Sequence, residues 1–241
     1  MILDKNSTDT FDTWYNSVHD TGGVVLVNKG KNWTSFDFVA KIRNMMQVRK
    51  VGHAGTLDPL ATGLLILCLG KYTKKISEFQ DLNKTYRAKI KVGATTKTSD
   101  SEMEEENIKD YSGLNEGEIR KVCSSFVGEI SQIPPMFSAK KVKGKRLYKL
   151  ARKGIDIELK PSLVKVYSID ILDIDLPFID IDVTCSKGTY IRSLARDIGE
   201  RLGTGAYLAE LERTDIGGYS LSEALTINEI NDLIVKYKSS N

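Results

Sequence analysis

Two stretches in which apolar and charged or polar residues alternate place the strongest constraint on the fold. Tyr86, Ala88, Ile90 and Val92 alternate with basic residues, and the segment 179–185 repeats the pattern. A period of two is typical of strands that bury one face. Residues 119–127 and 191–202 instead have helical spacing. Because strands and helices mix without strict βαβ alternation, the sequence predicts the α+β class.

Other segments carry clear signals for the elements around these strands. Val24–Val27 and Leu64–Leu69 are apolar runs that indicate buried strands. Thr34 or Ser35 can cap a helix, and Thr226 with Glu229 forms a capping box for a last helix. Gly203 is expected to end the helix that begins near residue 191.

Composition and cysteine spacing exclude several classes of protein. The chain has 241 residues, 41% of them hydrophobic, and a formal net charge of +3, which fits a globular chain. Its three cysteines are far apart, so the spacing fits neither a disulfide scaffold nor a CxxC metal site. The longest apolar run, Leu64–Leu69, is too short to span a membrane, and the first residues do not resemble a secretory signal. We therefore expect a cytoplasmic protein with no membrane contact.

Charge is segregated along the chain. The segment 100–118 has eight acidic residues and one basic residue, whereas 140–153 has eight basic residues and no acidic one. Such a basic block faces either a polyanion or only solvent, and this feature alone does not decide between them. The block lies between Pro134 and Pro161, so we interpret it as an excursion from the main fold, with a short helix near 147–151.

The residue types and motifs present exclude several kinds of catalytic or cofactor site. With only His19 and His53, zinc sites of the HExxH type lack their ligands, and no dinucleotide, P-loop or esterase motif occurs. Asp173 with Asp175, and Asp180 with Asp182, could hold a divalent cation. We favour the simpler interpretation that they form the solvated face of alternating strands, and we expect no metal.

The segment from Lys50 to Gly63 carries the best candidate for a reactive group. Its glycines allow tight turns, and Pro59 disfavours helical geometry at Asp58. A carboxylate fixed on a loop near His53 suits acid, base or nucleophilic work. An aspartate before proline is also an ordinary turn residue, so both interpretations stay open at this point.

The chain resembles the bacterial tRNA pseudouridine-55 synthase family of the TruB type in four ordered motifs. Gly52–Gly63 is similar to the family's catalytic loop, GHxGTLDPLAxG. KTYR at 84–87, IPPMFSAKKVKGKRLYKLARKG at 133–154 and CSKGTYIRSLARDIG at 185–199 also match. The resemblance covers about residues 22–220. It implies a mixed, mainly antiparallel central sheet flanked by helices, and isomerisation of uridine 55 in the T loop of tRNA.

The resemblance also implies roles for individual residues. Asp58 matches the catalytic aspartate, Tyr86 the tyrosine that stacks on the target uracil, and Arg192 the arginine paired with the carboxylate. His53, Tyr190 and Leu211 match substrate-contacting positions, and Lys29 matches a lysine near the pocket. The expected contacts with the RNA backbone are Lys140, Lys141, Lys143, Lys145 and Arg146. The reaction is redox-neutral, so we expect no cofactor.

The remaining expectations concern organisation and partners. Many family members continue into a C-terminal PUA domain, which we do not expect here. We expect one catalytic domain over 20–241 that includes a thumb-like insertion at 134–161, with 1–19 as an N-terminal extension. We expect a monomer that binds the T arm of tRNA. Asn28–Ser35 departs from the family's DKPxGxTS, and Glu212 before Arg213 weakens any assumed phosphate contact there.

Two other functions stay open on sequence. One is a tRNA-binding or folding-assisting protein without chemistry, which a change at Asp58, Tyr86 or Arg192 would have favoured; all three are intact. The other is an unrelated aspartate-dependent hydrolase, against which the lack of a second catalytic carboxylate in the loop counts.

Overall fold

The computed structural model describes residues 1–138, 141–142, 145–147, 150, 155, 157 and 159–240, with backbone alone at 141, 142, 145 and 146. The chain forms two compact units. The first comprises Met1–Tyr86 and Glu212–Asn241, and the second comprises Arg87–Leu211. Strands β5 (Lys84–Val92) and β11 (Ala206–Ile216) each run from one unit into the other. The α+β class that the sequence predicts is confirmed.

Strands and helices of the first unit surround a long apolar strand. Its elements are β1 (Ile2–Leu3), α1 (Phe11–Thr21), β2 (Gly23–Lys29), α2 (Ser35–Met46), β3 (Val51–His53), β4 (Thr62–Leu69), α3 (Ile76–Gln80), β12 (Tyr219–Ser220) and α6 (Ile227–Ser240). Strand β4 pairs antiparallel with β2 and β3 and parallel with the end of β11. Strand β1 extends the sheet parallel to β2.

The two faces of β4 belong to two different cores. Leu65, Leu67 and Leu69 pack in one cluster with residues of α1, α2 and α6, whereas Leu64, Ile66 and Cys68 pack in the other. A strand buried on both faces is apolar at every position, which explains the uninterrupted run in the sequence. The first 19 residues contribute Leu3, Phe11, Trp14, Tyr15 and Val18 to the first cluster.

The second unit is built on antiparallel strands with helices. Its elements are α4 (Glu116–Ser124), β6 (Gly128–Gln132), β7 (Lys141–Val142), β8 (Lys145–Arg146), β9 (Ser162–Asp175), β10 (Phe178–Cys185) and α5 (Ile191–Leu202), in addition to its parts of β5 and β11. The strand order is β5-β10-β9-β6, and β9 pairs antiparallel with both β10 and β6.

The aspartate pair of β10, Asp180 with Asp182, forms ion pairs with basic residues of β5. Asp182 forms an ion pair with Arg87 at 3.1 Å, and Asp180 forms one with Lys89 at 3.6 Å. The buried positions of β10 alternate with these aspartates, as the solvated-face interpretation predicts. Across the described ranges, no group of three or more His, Cys, Asp or Glu side chains could hold a metal ion.

Several local predictions are confirmed. Thr34 caps α2 in a capping box with Asp37, and Glu229 Oε2 accepts from Thr226 N at 2.7 Å at the start of α6. Helix α5 ends at Gly203, whose φ of 80° suits glycine. Among the helices of the described part, none is long and apolar enough to cross a membrane.

Only part of the basic block can be described. Strands β7 and β8 form a small antiparallel hairpin in which Lys141 pairs with Arg146, and Val142 with Lys145. Lys140, Lys143 and most of the short helix predicted at 147–151 lie outside the described residues.

A pair of phenylalanine substitutions tests whether the N-terminal segment belongs to the first core. Phe11 is 3% exposed and Phe36 is 57% exposed. We predict that Phe11→Ala lowers the free energy of unfolding by about 3 to 5 kcal/mol, because it leaves a cavity. Phe36→Ala, the matched control, lowers it by less than about 1 kcal/mol. Urea denaturation measures both, and equal effects would contradict the role assigned to the N-terminal segment.

Candidate active site

Asp58 lies on a short, non-helical loop between β3 and β4, as the sequence predicts. Its side chain is partly exposed, whereas the neighbouring Leu57 is buried. The backbone N–H of Ala61 donates to the carbonyl of Asp58 at 3.1 Å and closes a turn over Pro59 and Leu60. Asp58 is therefore partly exposed on a loop whose backbone is anchored.

The residue before Asp58 is held by a buried serine. Ser35 is 1% exposed, and its hydroxyl accepts from Leu57 N at 2.9 Å and donates to Leu57 O at 3.1 Å. Both polar backbone groups of Leu57 are thereby satisfied by one side chain. Because Ser35 is the first residue of α2 and Thr34 caps that helix, the capping signal also fixes the position of this hydroxyl.

The residue after Asp58 is held by a buried lysine. Lys29, at the end of β2, is 0% exposed, and its ammonium donates to the carbonyls of Trp33, Gly30 and Pro59 at 2.7, 3.0 and 3.3 Å. The pKa of Lys29 is lowered to about 8, and burial is the largest cause. The Asp58 carboxylate acts in the opposite direction, and the Arg213 guanidinium lowers the pKa further. The lysine that the resemblance places near the pocket thus supports the loop backbone.

Arg213 bridges the first part of the same loop and strand β4, which follows the loop. It is 1% exposed, and it donates through Nε to Leu64 O at 2.8 Å and through Nη2 to Gly55 O at 3.2 Å. Gly63 has a φ of +102°, and a Cβ there would lie 2.4 Å from the carbonyl oxygen of Arg213. Only glycine fits where β11 approaches β4 so closely. Glu212 before Arg213 argued against a phosphate contact here, and the buried Arg213 guanidinium binds backbone carbonyls.

His53 lies at the end of β3 and contacts an exposed aromatic ring. The rings of His53 and Phe36 meet edge to face, with centroids 5.4 Å apart and an interplanar angle of 88°. Burial lowers the pKa of His53, and the positive charge of Arg213 lowers it further. The imidazole is therefore neutral near neutral pH, which suits contact with a base better than contact with a phosphate.

Tyr86 occupies a buried position of β5 and is 9% exposed. The chain leading to it is fixed because the buried Lys84 donates to the carbonyl of Gln80 at 2.6 Å and to that of Leu82. Thr214 also donates to the carbonyl of Thr85 at 3.3 Å. The stacking of Tyr86 on the target uracil stays a prediction.

The second unit carries the other candidates, Tyr190, Arg192 and Leu211. Arg192, near the start of α5, is 4% exposed and forms an ion pair with Asp100 at 3.3 Å. It also donates to the carbonyls of Thr98 and Phe137, at 3.2 and 2.8 Å. Its pairing with Asp58 stays a prediction.

Tyr190 and Leu211 are both partly buried. The backbone of Tyr190 is bound twice by the side chain of Gln132: its N–H donates to Oε1 at 2.8 Å, and its carbonyl accepts from Nε2 at 3.0 Å. Gln132 ends the strand that leads into the segment 133–138, so the start of α5 and the root of the basic insertion are fixed together.

In the first unit, the Asp58 carboxylate and the Arg213 guanidinium both act on Lys29, and Arg213 also acts on His53. In the second unit, Tyr190 is the N-cap of α5, and Arg192 lies in its first turn. Sequence reasoning missed the supporting residues Ser35, Asp100, Gln132 and Arg213. Of these, only Ser35 had a recognisable sequence pattern, as a possible helix cap, and that pattern did not predict its hydrogen bonds with Leu57.

Two of the three free cysteines do not offer a competing nucleophile. Burial raises the pKa of both Cys68 and Cys123 to about 11, so neither is a thiolate near neutral pH. A partly exposed carboxylate on an anchored loop, close to a buried cation, is equipped for nucleophilic or proton-transfer work.

The depressed pKa of Lys29 predicts a specific pH dependence of stability. Between about pH 8 and its ordinary value of 10.5, the unfolded chain binds a proton that the folded chain lacks. The contribution of Lys29 to the free energy of unfolding therefore rises with pH from 8 to 10, by at most about 1.4 kcal/mol per pH unit. Urea denaturation of wild type and Lys29→Met at both pH values measures this difference.

Lys31→Met is the matched control, because it removes an exposed lysine from the loop that follows Lys29. This variant should keep the pH dependence of the wild type. Parallel pH profiles for wild type and Lys29→Met would show that Lys29 is not desolvated in the folded chain.

Family models and relatives agree on where this chain belongs. A model of the N-terminal domain of TruB family pseudouridylate synthases matches residues 43–191, and a model of the tRNA pseudouridylate synthase B C-terminal domain matches 192–241. The tRNA pseudouridine synthase B of Clostridium tetani is 48% identical over 210 residues, which are 87% of this chain and 73% of that protein. That of Chloroherpeton thalassium is 49% identical over 226 residues, 92% and 94% of the two chains.

Solved structures with this fold include a chain of a Cbf5-Nop10-Gar1 complex. It has a TM-score of 0.75 and 28% sequence identity, and the match covers 94% of this chain but only 58% of that one. With family models over both parts and relatives near half identity, the chain belongs to the TruB family of pseudouridylate synthases.

Proposed function

We propose that this protein is a tRNA pseudouridine synthase that converts uridine 55 of the T loop to pseudouridine, with Asp58 as its catalytic residue. The observation that carries the proposal is the anchoring of the loop on both sides of Asp58, by Ser35 at Leu57 and by Lys29 at Pro59. Relatives named tRNA pseudouridine synthase B support the substrate.

The reaction needs a group that acts at one defined point of the nucleotide. The bond between N1 of the uracil and C1′ of the ribose breaks, the ring turns, and a bond forms between C5 and C1′. C5 loses a proton and N1 gains one, so no electrons enter or leave. In our proposal Asp58 either attacks the sugar or base carbon or removes a ribose proton, and an anchored carboxylate suits each of these steps.

The target base must leave its stack to reach Asp58, at a cost of a few kcal/mol. In our proposal Tyr86 receives the flipped uracil and takes part in removing its C5 proton, while the neutral ring of His53 contacts bases. Stacking on an aromatic ring contributes about 1 to 3 kcal/mol per base and can offset the cost of flipping. Tyr190 and Leu211 complete the contacts with the substrate.

Arg192 is proposed to pair with Asp58 and keep it ionised, as a nearby guanidinium does. The contacts with Asp100, Thr98 and Phe137 fix the orientation of its guanidinium, which supports a positioned rather than a mobile charge.

The basic insertion is proposed to bind the phosphates of the T arm through Lys140, Lys141, Lys143, Lys145 and Arg146. Contacts of this kind position the RNA without reading its sequence. We further propose that the enzyme works without cofactor or metal, as a monomer in the cytoplasm; the three cysteines are free thiols, as a reducing compartment requires.

Replacing the Asp58 carboxylate separates chemistry from binding. We predict that Asp58→Asn abolishes pseudouridine formation in a T-arm transcript, because the amide cannot act as nucleophile or base. The dissociation constant for the RNA should change less than about tenfold, because the amide keeps the size of the side chain. Release of tritium from C5-labelled uridine measures turnover. Asp12→Asn, an exposed position in α1, is the control and should keep wild-type activity. Turnover by Asp58→Asn near the wild-type rate would contradict the mechanism.

A further inference from the structure

The side chain of Gln132 crosses from the end of β6 to the start of α5. It is 1% exposed. Its Oε1 accepts from Tyr190 N at 2.8 Å, and its Nε2 donates to Tyr190 O at 3.0 Å. Both polar groups of the amide are therefore used on the backbone of one residue, which lies 58 positions away in the chain.

Tyr190 occupies a position that helices usually fix with their own residues. It is the N-cap of α5, and its side chain makes no capping hydrogen bond. In a capping box the residue at N3 binds the N–H of the N-cap, but Ser193, at N3 of α5, donates to Ile133 O at 2.8 Å. Gln132 binds the Tyr190 N–H in its place. The Tyr190 carbonyl also accepts the first bond of the helix, from Leu194 N at 3.0 Å.

Two helices of the first unit show the usual local solution. Thr34 with Asp37 fixes the start of α2, and Thr226 with Glu229 fixes that of α6. Those starts depend on residues within the helix, whereas the start of α5 depends on a side chain from a strand. A change at Gln132 therefore acts on one helix start and leaves the local capping of the others in place.

The start of α5 is bonded to the chain that follows Gln132 as well. Arg196 Nη2 donates to Ile133 O at 3.2 Å, and Arg192 Nη2 donates to Phe137 O at 2.8 Å. These bonds come from side chains of the helix, which can rotate. The bonds of Gln132 differ because they act on the helix backbone, and so they set where the helix begins.

Two residues that carry proposed roles in the reaction lie at this helix start. Tyr190 is the N-cap, and Arg192 is the second residue of the helix. Because consecutive helical residues share one rigid backbone path, a shift of Tyr190 displaces the guanidinium of Arg192 as well. That guanidinium is 3.3 Å from the Asp100 carboxylate, so its contacts require the helix to begin at a defined place.

Filling space does not explain a glutamine at position 132. Burial of an amide costs free energy unless its hydrogen bonds are made. Methionine has a similar unbranched side chain and fills buried space without a polar group. The amide of Gln132 is therefore explained by the two bonds that it makes with Tyr190.

We propose that Gln132 is a positioning residue for the reaction: by holding the backbone of Tyr190, it fixes the start of α5 and with it the side chains of Tyr190 and Arg192. Gln132 acts through these two residues and does not itself contact the substrate. The inference rests on the proposed function, which assigns Tyr190 to the substrate contacts and Arg192 to the pairing with Asp58.

Gln132→Met in the full chain tests the inference, since it keeps the length of the side chain and removes both hydrogen bonds. Turnover of a T-arm transcript is measured by tritium release, and the rate is expressed per RNA-binding site so that unfolded protein does not contribute. We expect kcat to fall by about tenfold to a hundredfold, because misplaced groups lower the rate of the chemical step. KM and the dissociation constant for the RNA should change less than about threefold.

Hydrogen exchange measured by NMR gives a second readout that does not depend on activity. In Gln132→Met we expect the amides of Tyr190 and Leu194 to exchange at least about tenfold faster than in wild type, because the helix start loses its anchor. The amides of Arg201 and Leu202, at the other end of α5, should keep their wild-type rates. Unchanged exchange at Tyr190 and Leu194 would overturn the proposal.

Thr204→Val is the matched control. Thr204 is 6% exposed and follows α5, and its hydroxyl donates to Gly205 O at 3.0 Å. The substitution keeps the shape of the side chain and removes a buried hydrogen bond, so it lowers stability but should keep the wild-type kcat. An equal fall of kcat in both variants would show a general effect of destabilisation and would overturn the proposal. A folded Gln132→Met enzyme with wild-type kcat would do the same.

Gln132→Asn decides the question if the methionine variant does not fold. Its side chain is one methylene shorter and cannot make both bonds with Tyr190, so kcat should fall here too. Wild-type kcat in folded Gln132→Asn would contradict the proposal.

The proposal can fail independently of the proposed function. If wild type forms no pseudouridine, the reaction assigned to Asp58 is wrong, yet hydrogen exchange still reports whether Gln132 fixes the start of α5. If wild type is active and the variants of Gln132 keep its kcat, the function stands and Gln132 is not a positioning residue.

Discussion

The local structure of the first unit depends on buried cationic side chains that bind backbone carbonyls of one loop and of the strand that follows it. Lys29 binds Pro59, and Arg213 binds Gly55 and Leu64. Hydrogen bonds to charged groups contribute about 1.5 to 3 kcal/mol each, enough to compensate for placing charges away from water only when several act together. The loop that carries Asp58 is therefore held by its backbone.

The charged groups around this loop also affect one another. Lys29 and Arg213 repel each other, which lowers the pKa of Lys29, while the Asp58 carboxylate raises it. Asp58 is thus a counter-charge of the buried lysine as well as the group to which we assign the chemistry. Positive charge nearby favours the ionised carboxylate, which is the form that a nucleophile or base requires.

Periodicity and capping made much of the fold predictable. The alternation in β5 and β10, the uninterrupted apolar run of β4 and the capping boxes of α2 and α6 are local signals, and each marks an element that the structure contains. The support of the loop was not predictable, because Arg213 lies 149 residues from the carbonyl of Leu64 that it binds. The ion pair of Arg192 with Asp100 depends equally on contacts that only the folded second unit creates.

We infer that Asp58 acts because its loop is anchored, and removal of the Ser35 hydroxyl is the sharpest test of this inference. Ser35→Ala leaves the carboxylate, its charge and both cations in place but removes two hydrogen bonds from Leu57. We expect kcat for pseudouridine formation to fall by about tenfold to a hundredfold while KM stays nearly constant, since a misplacement of about 1 Å can have that effect on rate. Ser239→Ala, at an exposed position of α6, should leave kcat unchanged. A Ser35→Ala enzyme that is less stable but keeps the wild-type kcat would show that anchoring of the loop does not position Asp58 for the reaction.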